Sequence, residues 1–298
     1  MGFEMPELPE VETVRSGLSS HFLGRKIDSV ELRRDGLRFP FPSNMNQRMA
    51  GRTVVSIERR AKYILIHLSG GLTWLVHLGM SGYFSLLQPD EVRSSLRTYS
   101  QGIPIGEGKH DHVVIVLDDG SRAVYTDPRR FGMMDLVDTE FTLNHRLLAN
   151  LGPEPLSLDW DSSALCQSLR NKKTAIKIAL LDQKVVVGVG NIYACEALFR
   201  AKISPLRISA TVAGKRKTTQ HAENLVVAIK QILTDAIASG GSTLNDFQAV
   251  DGELGYFTHF FQVYDREGES CLRDSCDGTI FRILQGGRST FYCKKCQK

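Results

Sequence analysis

The chain has 298 residues, 42% of them hydrophobic, which is enough to bury a sizeable core and to form two domains. Its 37 Lys and Arg residues against 33 Asp and Glu residues give a net charge of +4, which only mildly favours an anionic partner. No apolar run approaches the roughly 18 to 20 residues of a membrane span, and the N-terminus does not resemble a signal peptide. These properties exclude an integral membrane protein, and we expect a cytosolic protein without a membrane partner.

The stretch from Met5 to Glu12, MPELPEVE, admits two interpretations. Prolines in a first helical turn and acidic residues at the positive end of the helix dipole are ordinary capping chemistry, which explains Pro6, Glu7, Pro9 and Glu10. Alternatively, a chain that begins at Pro6 has a free amine with a pKa of about 8, partly unprotonated at neutral pH. Beside Glu7, that amine would be a nucleophile next to a proton donor, as covalent catalysis requires.

Residues 1–150 are predicted to form a mostly β domain. After an opening helix, six short β-rich runs follow, KIDSVELRR, TVVSIERR, KYILIHL, LTWLVHL, HVVIVLD and SRAVYTD. Turns rich in Gly, Asp and Ser separate several of them, which predicts antiparallel strands of a β-sandwich. The segment from Gln88 to Lys109 carries few strand or helix signals and is expected to be a long loop.

Residues 151–160, LGPEPLSLDW, are predicted to be a linker because prolines and polar residues interrupt the pattern there. Helices dominate residues 161–265, namely TAIKIALLDQ, NIYACEALFRA and a longer helix from about Lys217 to Ile237. The glycines of KVVVGVG do not indicate a dinucleotide loop, since a third glycine and a βαβ unit are missing. Two turns that lead into a helix at Asn191 would instead form an anion site.

Four of the six cysteines fall in the last 28 residues, in two close pairs with sixteen residues between the pairs. The pairs are Cys271 with Cys276, and Cys293 with Cys296. This spacing predicts one structural Zn(II) ion held by four thiolates, in a zinc finger over residues 266–298. The intervening TIFRIL, QGGR and STFYC predict a β-hairpin, with Arg288 at its tip.

Several turn residues combine apolar and cationic side chains. RRAKYILI places Lys62 at the head of a strand, HLGMSG places Met80 in a turn, and TDPRRFG places Arg129 and Phe131 just past a proline. Each alone would suit the edge of a core. Basic clusters lie nearby in the sequence, at Arg170, Lys172, Lys173 and Lys177 and at Arg282, Arg288, Lys294, Lys295 and Lys298. Together these features indicate side chains that fill a gap in a base stack.

The motifs MPELPEVETVR, RRAKY, HLGMSG, KHDHV, TDPRRFG, LGPEPL, KKTAIK, VVGVGNIYA and GGRSTFYC, with the final cysteine pairs, resemble the bacterial formamidopyrimidine-DNA glycosylase family. The resemblance covers nearly the whole chain, and Leu8 favours the purine-lesion branch over the endonuclease VIII group, which usually has Gly there. It implies an α+β multidomain fold: an N-terminal β-sandwich flanked by helices, a helix-two-turn-helix domain and a β-hairpin zinc finger. It also implies a monomeric base-excision repair enzyme.

The resemblance further implies a bifunctional DNA glycosylase and abasic-site lyase, which excises 8-oxoguanine and formamidopyrimidines from double-stranded DNA and cleaves the strand by β- and δ-elimination. By the same resemblance, Pro6 matches the nucleophile and Glu7 the general acid. Lys62 and Arg288 match the proton donors of the first and second eliminations. DNA contacts are implied for His110, Lys172 and Asn191 and for the void-filling triad of Met80, Arg129 and Phe131. The stretch from Gly240 to Phe257 matches a lesion-recognition loop.

Two departures from the family pattern remain. The first cysteine pair has four intervening residues instead of two, which zinc sites tolerate. The residues MGFE precede Met5, and with them in place Pro6 nitrogen would be an amide. We therefore expect translation to begin at Met5 or MGFE to be removed. A catalytically silent relative that only binds lesions or abasic sites is the alternative, whereas a zinc-ribbon transcription or RNA factor would not explain PELPEVE or Lys62.

Overall fold

The computed structural model describes residues 5–94, 103–215, 217–242 and 256–298. These residues divide into two compact units. The N-terminal unit comprises residues 5–149 together with 240–242, and the C-terminal unit comprises residues 150–239 together with 256–298. Among the described residues, no helix is both long and apolar enough to cross a membrane.

The N-terminal unit contains three helices and eight strands. The helices are α1 (Leu8–Phe22), α2 (Met45–Met49) and α3 (Pro89–Ser94). The strands are β1 (Ile27–Leu32), β2 (Val54–Arg60), β3 (Tyr63–Leu68), β4 (Leu72–His77), β5 (Tyr83–Leu87), β6 (Asp111–Leu117), β7 (Arg122–Thr126) and β8 (Met133–Asp138). They form two antiparallel four-stranded sheets, with the orders β1-β6-β7-β5 and β2-β3-β4-β8.

The two sheets share one hydrophobic core, which confirms the predicted sandwich. Trp74 on β4 meets Phe84 on β5 edge to face, with ring centroids 6.2 Å apart, so the contact joins the two sheets. One face of α1 also enters this core through the apolar residues found at helical spacing in the sequence, Val11, Val14, Leu18 and Phe22. Helix α1 is therefore fixed on the sandwich by burial along its whole length.

Several elements of the described residues were not predicted from local pattern, among them the short helix α2 and strands β5 and β8. Strands β5 and β8 pair with β7 and β4 respectively, and each completes a sheet at its edge. The segment from Gln88 to Lys109 is not a loop throughout, since it begins with helix α3; residues 95–102 of it lie outside the described residues.

The C-terminal unit contains five helices and one hairpin. The helices are α4 (Ser162–Leu169), α5 (Ile176–Leu181), α6 (Asn191–Arg200), α7 (Ser209–Ala213) and α8 (Gln220–Ala238). The hairpin consists of β9 (Ile280–Gln285) and β10 (Arg288–Cys293). Helix α8 begins three residues later than predicted because Thr219 caps it, its hydroxyl accepting a hydrogen bond from the Ala222 N–H.

A buried carboxylate joins the helices to the chain that leads into the hairpin. Glu196 on α6 accepts backbone N–H bonds from Gln262, Val263 and Tyr264, at distances from 2.7 to 3.1 Å. Burial raises the pKa of Glu196, and the three N–H donors oppose that rise. The segment before the hairpin is thus held by the helical part of the same unit. The boundaries of the linker, the helical domain and the zinc finger remain predictions.

Candidate active site and metal centre

The N-terminal end of α1 is buried in the N-terminal unit. Pro6 and Glu7 are both buried, and Glu7 is the residue that precedes the first helical residue. The Glu7 backbone N–H donates to Oε2 of Glu10 at 2.9 Å, so the capping chemistry predicted from the sequence is present. The other oxygen of Glu10 accepts from the backbone N–H and the hydroxyl of Ser242, each at 2.8 Å. Glu10 therefore joins the helix start to the residue at which the described part of the 240–257 stretch ends.

Lys62 lies in the tight turn between β2 and β3 and is 6% exposed. The preceding residue, Ala61, has a left-handed backbone with a φ of 55°, and its carbonyl accepts from Nη1 of Arg59 at 3.0 Å. The same guanidinium donates from Nε to Oε2 of Glu12 on α1 at 2.8 Å. Arg59 thus links the residue before Lys62 to the helix whose first turn carries Glu7. Glu7 and Lys62 are therefore connected through two hydrogen bonds of Arg59.

His77, at the end of β4, was not identified from the sequence. Burial above all, together with the smaller effects of the charges of Lys62 and Arg38, lowers the pKa of its imidazole to about 3. The ring is therefore neutral at physiological pH. The Gly79 backbone N–H donates to Nδ1 at 3.0 Å, which leaves the proton on Nε2. His77 is therefore a neutral N–H donor that lies close enough to Lys62 for the charge of the lysine to affect the pKa of the imidazole.

The turns that carry Met80, Arg129 and Phe131 contact each other. A Cβ on Gly79 would lie 2.4 Å from the Gly132 nitrogen, so the two backbones touch where Gly79 lacks a side chain. Met80 and Arg129 are half-buried, Phe131 is 43% exposed, and the Arg129 guanidinium lies over the Phe131 ring at 5.1 Å. The three residues of the predicted triad are therefore presented by one joined pair of turns.

A buried carboxylate, Asp127, organises both turns. Its Oδ1 accepts from the Ser81 hydroxyl at 2.7 Å, and its Oδ2 accepts from the Gly132 N–H at 2.8 Å. The Ser81 hydroxyl in turn accepts from the Arg129 N–H at 3.1 Å. The Asp127 N–H donates to the His110 carbonyl at 3.0 Å, which places the half-buried His110 beside the same turns. Asp127 is the shared support of four predicted DNA-contacting residues.

The predicted residues of the C-terminal unit have different surroundings. Lys172 pairs with Asp182 at 3.0 Å, and both side chains are partly exposed. Asn191, the first residue of α6, is fully buried, and its Nδ2 donates to the Ser289 carbonyl at 3.0 Å. Arg288 is exposed at the start of β10, directly after the turn of Gly286 and Gly287, as the hairpin predicted. Contacts of these residues with DNA stay predictions.

The four C-terminal cysteines converge on one point. Their sulfur atoms all lie within 4.8 Å of one another, with Cys271 Sγ 3.8 Å from Cys296 Sγ and Cys276 Sγ 3.7 Å from Cys293 Sγ. A tetrahedral ion with metal–sulfur bonds of about 2.3 Å requires sulfur–sulfur separations of about 3.8 Å, so the geometry fits a metal ion.

Gly278 lies against this cluster. A Cβ there would be 2.6 Å from Cys293 Sγ and 3.3 Å from Cys276 Sγ. The sulfur atoms therefore occupy the space that any side chain at this position would need.

Comparison with known proteins agrees with this geometry. Residues 5–134 match the formamidopyrimidine-DNA glycosylase N-terminal domain, and residues 151–248 match the formamidopyrimidine-DNA glycosylase H2TH domain. The chain belongs to the formamidopyrimidine-DNA glycosylase family. Formamidopyrimidine-DNA glycosylases from Ruegeria pomeroyi and Bradyrhizobium diazoefficiens are each 49% identical to it, over 99% of this chain and 100% of theirs.

Solved structures of this glycosylase family have the same fold. The MutM (Fpg) protein of Thermus thermophilus is 35% identical, with a TM-score of 0.81 over 98% of both chains. Lactococcus lactis Fpg in complex with abasic-site DNA is 31% identical, with a TM-score of 0.82 over 98% of this chain and 99% of that one. A Lactococcus lactis mutant in complex with DNA containing Fapy-dG is 32% identical, with a TM-score of 0.83 over 98% of this chain and 100% of that one.

In this member of the glycosylase family, sequence reasoning named the residues that carry the predicted chemistry and DNA contacts and did not identify the residues that hold them in place. Glu10, His77, Asp127 and Lys177 are all buried and each holds a turn or strand that carries a predicted site residue. The one sequence signal that could have identified these four buried residues is a polar or charged residue inside an otherwise apolar motif. Lys177 was counted with an exposed basic cluster, and the structure corrects this, since its side chain is fully buried.

Proposed function

We propose that the protein is a base-excision repair enzyme, a formamidopyrimidine-DNA glycosylase that also cleaves the strand at the abasic site. One observation carries the proposal: relatives with that name are 49% identical over their entire length. The structural relatives bound to abasic-site DNA and to DNA containing Fapy-dG support the substrate, double-stranded DNA with an oxidised purine or an abasic site.

The chemistry starts at Pro6. As the first residue, it has a secondary amine whose nitrogen attacks the anomeric carbon of the damaged nucleotide while the bond to the base breaks and Glu7 supplies a proton. The proline nitrogen then loses its proton, and the bond between the anomeric carbon and the ring oxygen breaks as that oxygen is protonated, which opens the sugar. The product is an iminium ion, a Schiff base between protein and sugar. Glu7 follows Pro6 directly in the chain, which supports its assignment as the neighbouring proton donor.

Strand cleavage follows in two eliminations. The iminium ion acidifies the neighbouring sugar carbon, and loss of its proton expels the 3′ phosphate; a second elimination expels the 5′ phosphate. We assign Lys62 as the proton donor of the first elimination and Arg288 as that of the second. The framework of Glu12, Arg59 and Ala61 that holds the Lys62 turn supports the first assignment.

Binding of the duplex is assigned to the two joined turns and to the helical unit. Met80, Arg129 and Phe131 fill the gap that the extruded nucleotide leaves, since apolar and planar side chains can replace a base in the stack. His110, Lys172 and Asn191 contact the DNA backbone. The four cysteines hold one structural Zn(II) ion, which four thiolates favour and which would fix the hairpin that carries Arg288. The relatives are bacterial, and we place the enzyme, as a monomer, in the cytoplasm with the chromosome.

The mature N-terminus tests this proposal. The match to the N-terminal domain of the family begins at residue 5, which supports a chain that starts at Met5 and loses it. We expect protein from the native host to have the mass of a chain beginning at Pro6. That form should be trapped on an 8-oxoguanine duplex by borohydride, whereas a matched form that retains MGFE should not be trapped. Failure of the Pro6 form to give an adduct would refute the enzymatic function.

The alternative is a relative that only binds damaged DNA. The four residues before Met5 motivate it, since they would convert Pro6 nitrogen into an amide. A native mass that includes MGFE, combined with selective binding of abasic-site duplexes without cleavage, would establish that function instead.

A further inference from the structure

Lys177 on α5 is a fully buried lysine that the chemistry above does not use. Its Nζ donates to the Thr290 hydroxyl at 2.6 Å and to the Ser289 carbonyl at 3.1 Å. Both acceptors lie on β10, within two residues of Arg288. The buried Lys177 amine is therefore hydrogen-bonded to the strand that begins with Arg288, the proposed catalytic residue.

A second buried donor acts on the same atom. Asn191 Nδ2 donates to the Ser289 carbonyl at 3.0 Å, so one backbone oxygen next to Arg288 receives hydrogen bonds from two helices, α5 and α6. Two donors that converge on one acceptor fix its position in two directions. The peptide group that follows Arg288 is thereby fixed relative to the helical part of the C-terminal unit.

The other side of the turn is also supported by α5. A Cβ on Gly286 would lie 2.9 Å from the Cδ1 atom of Ile178, the neighbour of Lys177. The Pro205 carbonyl accepts from the Lys177 backbone N–H at 3.5 Å and from Gln285 Nε2 at 3.3 Å. The residues before and after the two-glycine turn therefore depend on the same short stretch of α5.

A fully buried lysine is unusual, because lysines are almost never completely buried unless their polar group has partners. An apolar side chain of similar volume would fill the same space without burying a polar group. The Lys177 amine instead donates both hydrogen bonds to β10, so the residue fixes a backbone position in addition to filling the core.

We propose that Lys177 is a positioning residue for Arg288, which fixes the hairpin tip so that the second elimination can occur. This inference rests on the proposed function, because it needs Arg288 to act in δ-elimination. Lys177 itself touches neither the reacting atoms nor the DNA in this role. Its loss should therefore affect one chemical step selectively.

The test compares product ratios on a duplex with a preformed abasic site. In Lys177→Met, the ratio of δ- to β-elimination product should fall at least about tenfold, because misplacement by about 1 Å can cost about 100-fold in rate. Borohydride trapping should stay within about twofold of wild type. The double variant Lys177→Met with Arg288→Ala should have the same product ratio as Arg288→Ala alone, because Lys177 affects the second elimination only through Arg288.

Lys230→Met is the matched control. Lys230 also donates from Nζ to a backbone carbonyl in the C-terminal unit, that of Ser157 at 2.9 Å, but not to the hairpin. Its replacement should leave the product ratio unchanged. If Lys177→Met does not fold, Thr290→Val tests the same inference, because it removes one of the two acceptors of the Lys177 amine at nearly constant side-chain volume. The ratio of δ- to β-elimination product should fall in this variant as well. Thr290→Ser keeps the hydroxyl group and should have the wild-type ratio.

Three results would overturn the inference. An unchanged product ratio in folded Lys177→Met or Thr290→Val, with wild type trapped normally, would refute the positioning role alone. A parallel loss of trapping and of both eliminations would show a general structural role instead. Absence of trapping by wild-type protein that begins at Pro6 would remove the proposed function and, with it, this inference.

Discussion

Glu12 on α1 and Arg59 on β2 form an ion pair of 2.8 Å, with side chains only 22% and 11% exposed. Arg59 also donates from Nη1 to the carbonyl of Ala61, directly before Lys62. The ion pair therefore fixes the helix that bears Pro6 and Glu7 relative to the turn that bears Lys62. Two predicted catalytic elements far apart in the sequence are held by a residue that neither motif analysis nor the family resemblance singled out.

We predict that Glu12→Gln slows β-elimination several-fold and destabilises the protein by about 1 to 2 kcal/mol, since a shielded charge-assisted hydrogen bond is weakened. Single-turnover cleavage of abasic-site DNA and denaturant unfolding measure the two effects. The control is Glu31→Gln, which removes the exposed pair of Glu31 with Arg33 and should change neither quantity measurably. Equal behaviour of the two variants would contradict the proposed link.

Asp127→Ala should loosen both turns that carry the triad. The Ser81 hydroxyl and the Gly132 N–H would lose their buried acceptor, at a cost of about 1 to 3 kcal/mol for each unsatisfied group. We expect the preference for lesion over undamaged duplex to fall, as measured by competition binding. Asp119→Ala is the control, because Asp119 accepts from Ser121 in a surface turn of the same unit. If discrimination is retained in Asp127→Ala, Asp127 does not support the triad.

Gly278→Ala should weaken the metal centre. The added methyl group would lie 2.6 Å from Cys293 Sγ, so a sulfur atom must move away from tetrahedral geometry. We expect release of the bound metal ion to a chelator about 10-fold faster or more, by analogy with lost outer contacts around metal ligands. Gly268→Ala is the control, since its added methyl meets nothing within 4 Å and strains only the backbone. Unchanged release in Gly278→Ala would show that the cluster can expand.

His77 should make stability depend on pH. Its folded pKa of about 3 lies below the unfolded value of about 6.5, so the unfolded chain takes up a proton first as the pH falls. The stabilising contribution is complete above pH 6.5 and is lost progressively toward pH 3, by about 1.4 kcal/mol per pH unit. Between pH 7.5 and 5.0, wild type should lose about 2 kcal/mol more than His77→Gln in denaturant unfolding. Parallel losses would refute a neutral buried imidazole.

Much of the fold was predicted from the sequence because the residues that define these helices and strands are close together in the chain. The spacing of Val11, Val14, Leu18 and Phe22 predicted the buried face of α1, and the cysteine spacing predicted the cluster of sulfur atoms. The runs TIFRIL and STFYC, separated by QGGR, predicted the hairpin. Strand β8 was missed because its sequence, MMDLVD, is not clearly alternating; pairing with β4 selects its conformation.

The supports of the site could not be predicted for a related reason. Glu10 bonds to a residue 232 positions away, Asp127 to one 46 away and Lys177 to one 113 away. Each is a single polar residue whose partner is defined only by the folded chain. In the sequence, Lys177 is indistinguishable from the exposed lysines beside it, and Glu10 is fully explained by helix capping.

The contact between the backbones of Gly79 and Gly132 limits how the protein can be redesigned. Gly79 has a φ of +73°, and its neighbour is main chain rather than a movable side chain, so no larger residue can be accommodated by repacking. An insertion in either turn would shift Met80 out of register with Phe131. Variants that alter the predicted triad should therefore exchange its side chains and keep both turn lengths unchanged.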